Sequence, residues 1–323
     1  MHHPKADLER LYVKRKGAGR GLSQIEAAYK TEISNIAEYL NKWHKEDQFV
    51  NTRIIRSLDS SQPHVNSTVK AAAKIIDELS QSNDKNDMKQ DGIQNTKARL
   101  AESLKEKWEN KVMHGQYIRS IDKQLISEED TFLWLSKGDL KAETEGETVA
   151  AQDQALETKY RAAKILQTET DSKCRLCQQF EETADRIVSA CPVLAKEQYI
   201  KRHDRVCAHL HFNIITIPNN KPDIIIRGNE KGTCMLIDVA ITGDRNVIKK
   251  EAEKILKYKD LIIEIQRMWN VKTKVTPVII GATGTISKSF RKYLSIISGK
   301  HDIKELQKTA VLGTAHTLRE VLM

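Results

Sequence analysis

Two aspartates, Asp223 and Asp238, have the spacing of a metal-dependent catalytic pair. Fourteen residues separate them, and short apolar runs follow the first and precede the second. These runs flank a turn-rich segment, which favours a hairpin with both acids at one end. Mg²⁺ prefers such carboxylates together with waters and a phosphate oxygen, and it can then activate a water against a phosphodiester. The pair therefore predicts a Mg²⁺ or Mn²⁺ nuclease site. A turn dipeptide before an ordinary strand is the alternative.

A basic helix is predicted directly after this hairpin. Apolar residues recur at helical spacing over 247–258, and Lys250, Lys254 and Lys257 share one face. A lysine placed there can offset the negative charge that develops on a phosphate. We predict Lys254 or Lys257 for this catalytic role, with a solvated basic face as the alternative.

Several motifs follow one another in a characteristic order. They are a Cys-rich knuckle, Arg202-His203-Asp204, Lys221-Pro222-Asp223, Asp238 in a strand, a Lys-Tyr helix and the strand 277–286. This order resembles the C-terminal end of site-specific non-LTR retrotransposon polyproteins. In that family a helical linker, a Cys-Cys-His-Cys knuckle and a restriction-like endonuclease follow the reverse transcriptase. The resemblance runs along essentially the whole chain. His2-His3-Pro4 is similar to the junction after the polymerase thumb, and 144–158 is similar to the linker that precedes the knuckle.

The resemblance implies an α+β fold, in which a helical N-terminal region precedes a small α/β restriction-endonuclease-like core. Residues 205–220 form a shorter connection than the family has, which predicts an incomplete core. The expected segments are a post-thumb junction (1–80), a flexible linker (81–93), a helical linker region (94–170), a degenerate zinc knuckle with a helix (171–212) and the endonuclease core (213–323).

The function implied is that of a truncated C-terminal fragment of such a polyprotein, ancestrally a metal-dependent DNA-nicking endonuclease. The sequence contains no paired aspartates of the polymerase type. A catalytically inactive nucleic-acid-binding remnant is the alternative. The partners expected are DNA and the element RNA, with contacts from Lys221, Arg202 and His203.

The knuckle departs from the family pattern. Cys174, Cys177 and Cys191 fill three zinc-ligand positions, and the position of the histidine falls on Arg186. Arginine stays protonated and cannot bind zinc, so we expect zinc binding to be weak or absent. Two alternatives remain open. The cysteines pack as small apolar residues, or the fourth position is completed by Asp185, a water, His203 or Cys207.

A glycine-containing turn at 281–285 allows two interpretations. Its amides can bind a phosphate at a helix start, or it is an ordinary strand-to-helix turn. Asp244, further upstream, is predicted to cap the helix that follows it.

Composition agrees with a nuclear or cytoplasmic protein that binds a polyanion. The 323 residues carry a net charge of +9, and the five cysteines form no secreted-type framework. No apolar run predicts a membrane span or a signal peptide, and the oligomeric state is left open. Helices are predicted at 23–45, 67–80, 94–113, 122–136, 147–167, 285–297 and 302–321, and a third strand at 274–281.

Overall fold

The computed structural model describes residues 3–26, 28–33, 35, 93–210, 222–228, 232–297, 299 and 301–322. The chain divides into two compact units. The smaller comprises Leu8–Lys14 and Gly19–Trp108, and the larger comprises Met1–Asp7, Arg15–Ala18 and Glu109–Met323. The predicted helix over 67–80 and almost all of the predicted linker over 81–93 lie outside the described residues.

The described part of the smaller unit contains helices. Helix α1 spans Leu8–Tyr12 and helix α2 spans Ile93–Glu109. Within the predicted helix over 23–45, residues 25, 26 and 28–33 are helical. The guanidinium of Arg10 lies 4.7 Å from the ring centroid of Trp108, and both side chains are fully buried. This buried cation–π contact fixes Trp108 as a core residue.

The larger unit contains short helices before its sheet. These are α3 (Gln116–Arg119), α4 (Glu128–Thr131), α5 (Leu133–Lys137), α6 (Ala142–Gln152), a π-helix (Arg161–Leu166), α7 (Ala184–Ser189) and α8 (Gln198–Leu210). The single helices predicted at 122–136 and 147–167 are therefore wrong. Ser127 starts α4 by accepting a hydrogen bond from the Asp130 amide. The left-handed Gln154, with φ of 53°, follows the end of α6.

Three strands of the described chain form one mixed sheet. β1 (Ile224–Gly228) pairs antiparallel with β2 (Thr233–Thr242), which pairs parallel with β3 (Lys272–Gly281). The predicted hairpin is thus confirmed, as is the α+β class. Helices α9 (Val247–Lys257) and α10 (Lys259–Trp269) connect β2 to β3, and α11 (Phe290–Ile296) and α12 (Ile303–Leu322) close the chain. Helix α10, which begins immediately after Tyr258, was not predicted.

Alternation along β2 distributes its side chains between two apolar clusters. Ile237 and Val239 belong to a cluster with residues of α8, α11 and α12. Cys234 and Leu236 belong to a second cluster with Tyr258 and with Ile265 of α10. Asp238 has the parity of Leu236, so its side chain is directed to the α9–α10 face. Within the described ranges, no helix combines the length and apolarity needed to cross a membrane.

Candidate acid site at the end of the β-hairpin

Pairing of the first two strands brings the predicted acids together. Ile224 lies opposite Ile237, so the same register places Asp223 opposite Asp238. The backbone amide of Val239 donates a hydrogen bond of 2.6 Å to Oδ2 of Asp223. The first carboxylate is therefore held against the strand that carries the second, as the hairpin prediction requires. The sharing of one ion by the two carboxylates stays a prediction.

Asp238 is buried, and both of its carboxylate oxygens have partners. Its side chain is 2% exposed. The Tyr258 hydroxyl donates to Oδ1 over 2.5 Å, and the Lys254 ammonium forms an ion pair with Oδ2. Burial, followed by the hydrogen bond to Asp238, raises the pKa of Tyr258. Tyr258 is consequently a neutral donor that orients the carboxylate.

Asp223 is half-buried and ionised. Burial acts to raise the pKa of Asp223, but the hydrogen bond and charge of His203, the Val239 amide and the charge of Lys254 outweigh it and lower that pKa. His203 Nε2 lies 3.3 Å from Asp223 Oδ2. Hydrogen bonds to Asp223 and then to Cys207 raise the pKa of His203 to about 11, against the opposing effect of burial.

The three lysines predicted on one helix face have different partners. Lys254 contacts Asp238, whereas the Lys257 ammonium lies 4.9 Å from the ring centroid of Tyr258. Lys250 forms an ion pair of 2.9 Å with Glu253 on the same helix. Lys254 is therefore the stronger candidate of the two lysines predicted for catalysis.

Sequence analysis assigned no role to Tyr258, which the structure adds to this site. Its signal was its position four residues after Lys254, which places the two side chains on one face of a continuous helix. The helix is interrupted at Tyr258, between α9 and α10, but the Tyr258 hydroxyl still donates to Asp238.

The three thiols of the predicted knuckle form a compact group. The Sγ atoms of Cys174, Cys177 and Cys191 all lie within 4.8 Å of one another. Cys174 and Cys191 are buried, and their sulfurs are 4.0 Å apart. Zinc–sulfur bonds of ~2.3 Å in a tetrahedron place two sulfurs about 3.8 Å apart. The thiols therefore have a spacing that suits one zinc ion.

Backbone amides turn toward two of these sulfurs. The amides of Leu176 and Cys177 act to lower the pKa of Cys174, and those of Gln179 and Phe180 act to lower the pKa of Cys177. Burial raises the pKa of the Cys174 thiol. Burial also opposes ionisation of Cys177, but its two amides and the neighbouring thiols outweigh that effect and lower the pKa of Cys177. Such amides stabilise thiolate, the form that binds metal.

Arg186 does not supply the fourth ligand. Its guanidinium carbon lies 4.2 Å from the ring centroid of Phe180. His203 and Cys207, considered above as substitutes, group with Asp223 instead, and Asp185 lines a small cavity beside Asp244. Among the described residues this cysteine cluster thus has three members.

The predicted nucleic-acid contacts lie in different environments. Arg202 is 1% exposed, and its guanidinium donates over 2.8 Å to the Thr314 hydroxyl. Burial lowers the pKa of Arg202 to about 10. This position suits a residue that anchors α8, which presents His203 to Asp223. Lys221 lies outside the described residues.

The turn after β3 is already occupied by a carboxylate of the chain. The amides of Thr283 and Thr285 donate to Asp244 over 3.2 Å and 3.4 Å. Their hydroxyls donate over 2.9 Å and 2.7 Å. These groups bind Asp244 in place of a phosphate. Asp244 therefore joins two segments, and no side-chain hydrogen bond caps the helix that follows it.

No protein-family model matches this chain, and no curated protein does. Inference about function therefore depends on the side chains around Asp223 and Asp238.

Proposed function

We propose that the larger unit is a metal-dependent DNA-nicking endonuclease of the restriction-like class, related to the C-terminal part of non-LTR retrotransposon polyproteins. The observation that carries the proposal is the convergence of Asp223, Asp238, Lys254 and Tyr258 at the end of one hairpin. Two acids on neighbouring strands with an adjacent lysine suit hydrolysis of a phosphodiester.

The two acids fit a hard divalent ion such as Mg²⁺ or Mn²⁺. Each carboxylate offers about four lone-pair sites, so the contacts to Asp223 and Asp238 leave capacity for an ion. The lowered pKa of Asp223 keeps that group ionised near neutrality. When bound, the ion would lower the pKa of a coordinated water and stabilise charge on the phosphate.

Protein groups around the acids have separate roles in this proposal. The Tyr258 hydroxyl fixes the orientation of the Asp238 carboxylate. Lys254 balances the charge of that carboxylate in the free protein and lies beside it to meet the negative charge of a bound phosphate. The net charge of +9 favours a phosphate backbone as partner, whether DNA or an element RNA.

One observation supports a second candidate, a nucleic-acid-binding remnant without catalysis. Asp238 is almost inaccessible, the Tyr258 hydroxyl donates to one of its oxygens, and the Lys254 ammonium pairs with the other. An ion must add to these contacts or displace one of them. If neither happens, the chain retains its basic charge and binds DNA without cutting it.

Nicking of supercoiled plasmid with Mg²⁺ or Mn²⁺ distinguishes the two candidates. We expect the unaltered protein to nick, and Asp223→Ala and Asp238→Ala each to lose nicking while DNA affinity stays equal or rises slightly. Asp260→Ala, which removes an exposed acid from α10, is the matched control and should keep nicking. DNA binding without nicking under both metals supports the remnant. Nicking that persists in both site variants refutes the catalytic pair.

A further inference from the structure

A second set of metal-ligating atoms includes Asp223. His203 and Cys207 are four residues apart on α8, so their side chains share one helix face. One atom each of His203, Cys207 and Asp223 lies within 4.8 Å of the other two. The i, i+4 arrangement of two ligands on a helix is a common way to bind zinc.

The donor atoms of this set are close enough together to bind one tetrahedral ion after side-chain adjustment. His203 Nε2 lies 3.3 Å from Asp223 Oδ2, and Cys207 Sγ lies 3.6 Å from the same nitrogen. Zinc bonds of ~2.0–2.1 Å to nitrogen and oxygen and ~2.3 Å to sulfur give separations of about 3.3 Å and about 3.6 Å. The sulfur is also 3.7 Å from Nδ1, so coordination requires side-chain rotation of His203 and Cys207 with the helix backbone in place.

The other imidazole nitrogen has the partner that zinc-binding histidines usually have. Asp204 Oδ1 lies 3.1 Å from His203 Nδ1. A carboxylate at this position fixes the tautomer that leaves Nε2 free for a metal and makes that nitrogen more basic. Asp204 is therefore placed as an outer support for a histidine ligand.

A nucleophilic triad with Asp223 as its acid does not explain these contacts. In a triad the acid and the nucleophile use opposite nitrogens of the imidazole. Here Asp223 approaches Nε2, and Cys207 is as close to Nε2 as to Nδ1. Asp223 and Cys207 both lie within reach of Nε2, as two further ligands of one ion would.

We propose that His203, Cys207 and Asp223 bind a borderline divalent cation of the zinc class, with the fourth position open to solvent. Thiolate and imidazole select such an ion over Mg²⁺. Zinc would also occupy one of the two acids of the proposed nuclease pair and inhibit nicking. That consequence rests on the proposed function, whereas zinc binding itself does not.

Site-resolved alkylation of cysteines tests zinc binding without any measurement of activity. The full chain is treated with iodoacetamide with and without Zn²⁺, and peptide mass spectrometry reports Cys207 separately from the other cysteines. We expect Zn²⁺ to slow alkylation of Cys207 at least tenfold and an equal amount of Mg²⁺ to leave it unchanged. His203→Ala and Asp223→Asn should abolish the protection.

His209→Ala is the matched control, because it removes an imidazole from the same helix that bonds to Thr309. It should keep the protection of Cys207. Slow alkylation of the buried Cys234 verifies that each variant is folded. The proposal is refuted if Zn²⁺ does not protect Cys207 in the unaltered chain, or protects it equally in folded His203→Ala. Protection of Cys207 without zinc inhibition of nicking retains the metal site and removes only its link to the nuclease.

Discussion

The cysteine cluster and the acid site hold their ligands in different ways. Cys174, Cys177 and Cys191 come from one short segment, and backbone amides support two of the sulfurs. Asp223 and Asp238 come from neighbouring strands, and side chains of two helices balance their charge. The cysteine cluster thus has a local scaffold, but the described residues supply only three ligands. Each acid has a cationic partner and a hydrogen-bond donor from the protein, so the arrangement can persist whether or not the protein cuts DNA.

Removal of Asp238 should have the largest effect on stability. Asp238→Ala leaves Lys254 without its partner and Tyr258 without its acceptor. Loss of one partner of a buried ion pair costs about 3 kcal/mol or more, and the lower value applies because Lys254 is 17% exposed. Urea denaturation measures the change. Lys254→Met in the same chain should recover part of the loss. A decrease in the free energy of unfolding of less than about 1 kcal/mol would show that the Asp238–Lys254 pair contributes little to stability.

Gly313→Ala should weaken the support of α8. A Cβ at residue 313 would lie 2.5 Å from Cγ of Arg202, in a buried contact between α8 and α12. Overpacking of this kind costs about 1–3 kcal/mol. Thermal or urea unfolding tests the estimate, with Gly232→Ala as a control at a glycine whose added Cβ meets no atom within 4 Å but whose φ of +55° is strained. A loss of less than about 1 kcal/mol for Gly313→Ala would show that the Arg202 side chain moves aside at little cost.

Arg186→His should raise the zinc affinity of the cysteine cluster. A histidine at this position supplies the missing fourth ligand, and we expect at least a tenfold gain, which corresponds to about 1.4 kcal/mol. Chelator competition measures it, and Arg186→Gln controls for loss of the guanidinium. Because the second proposed zinc site contributes to total binding, both variants are compared in a Cys207→Ala chain. Tight stoichiometric zinc in that chain before any change at Arg186 would show that another ligand completes the group.

Lys257→Met should have the smallest effect. Lys257 is exposed and contacts the ring of Tyr258, an interaction worth about 0.5–1 kcal/mol. Nicking should stay within twofold of the unaltered protein, whereas Lys254→Met should lower it by at least tenfold. Equal losses from the two substitutions would indicate a diffuse electrostatic role of the helix.

Local patterns predicted the parts of the molecule that are close in sequence. Apolar runs around a turn identified the hairpin, and the spacing of Cys174 and Cys177 identified two members of the cysteine cluster. The contact of His203 with Asp223 depends on how α8 packs against β2, which no periodicity reports. Burial of Arg202 and capture of Asp244 by a distant turn are tertiary effects of the same kind.

Helix boundaries were less predictable for a related reason. The apolar periodicity continues through short segments that the structure separates, as at Phe132 between α4 and α5 and at Tyr258 between α9 and α10. In both places the backbone leaves helical geometry for one residue, while the side chain remains buried. Apolar periodicity therefore predicts which side chains are buried, but it does not predict where the helix is interrupted.

Location of the ion is the most direct test of the acid site. Crystals of the unaltered protein soaked in Mn²⁺ should give one anomalous difference peak within ~2.0–2.6 Å of an oxygen from Asp223 and an oxygen from Asp238. Asp223→Ala crystals treated in the same way should lack that peak. A saturating soak that leaves the hairpin without a peak, or that places the ion on only one of the two carboxylates, would contradict the shared metal site on which the proposed nuclease depends.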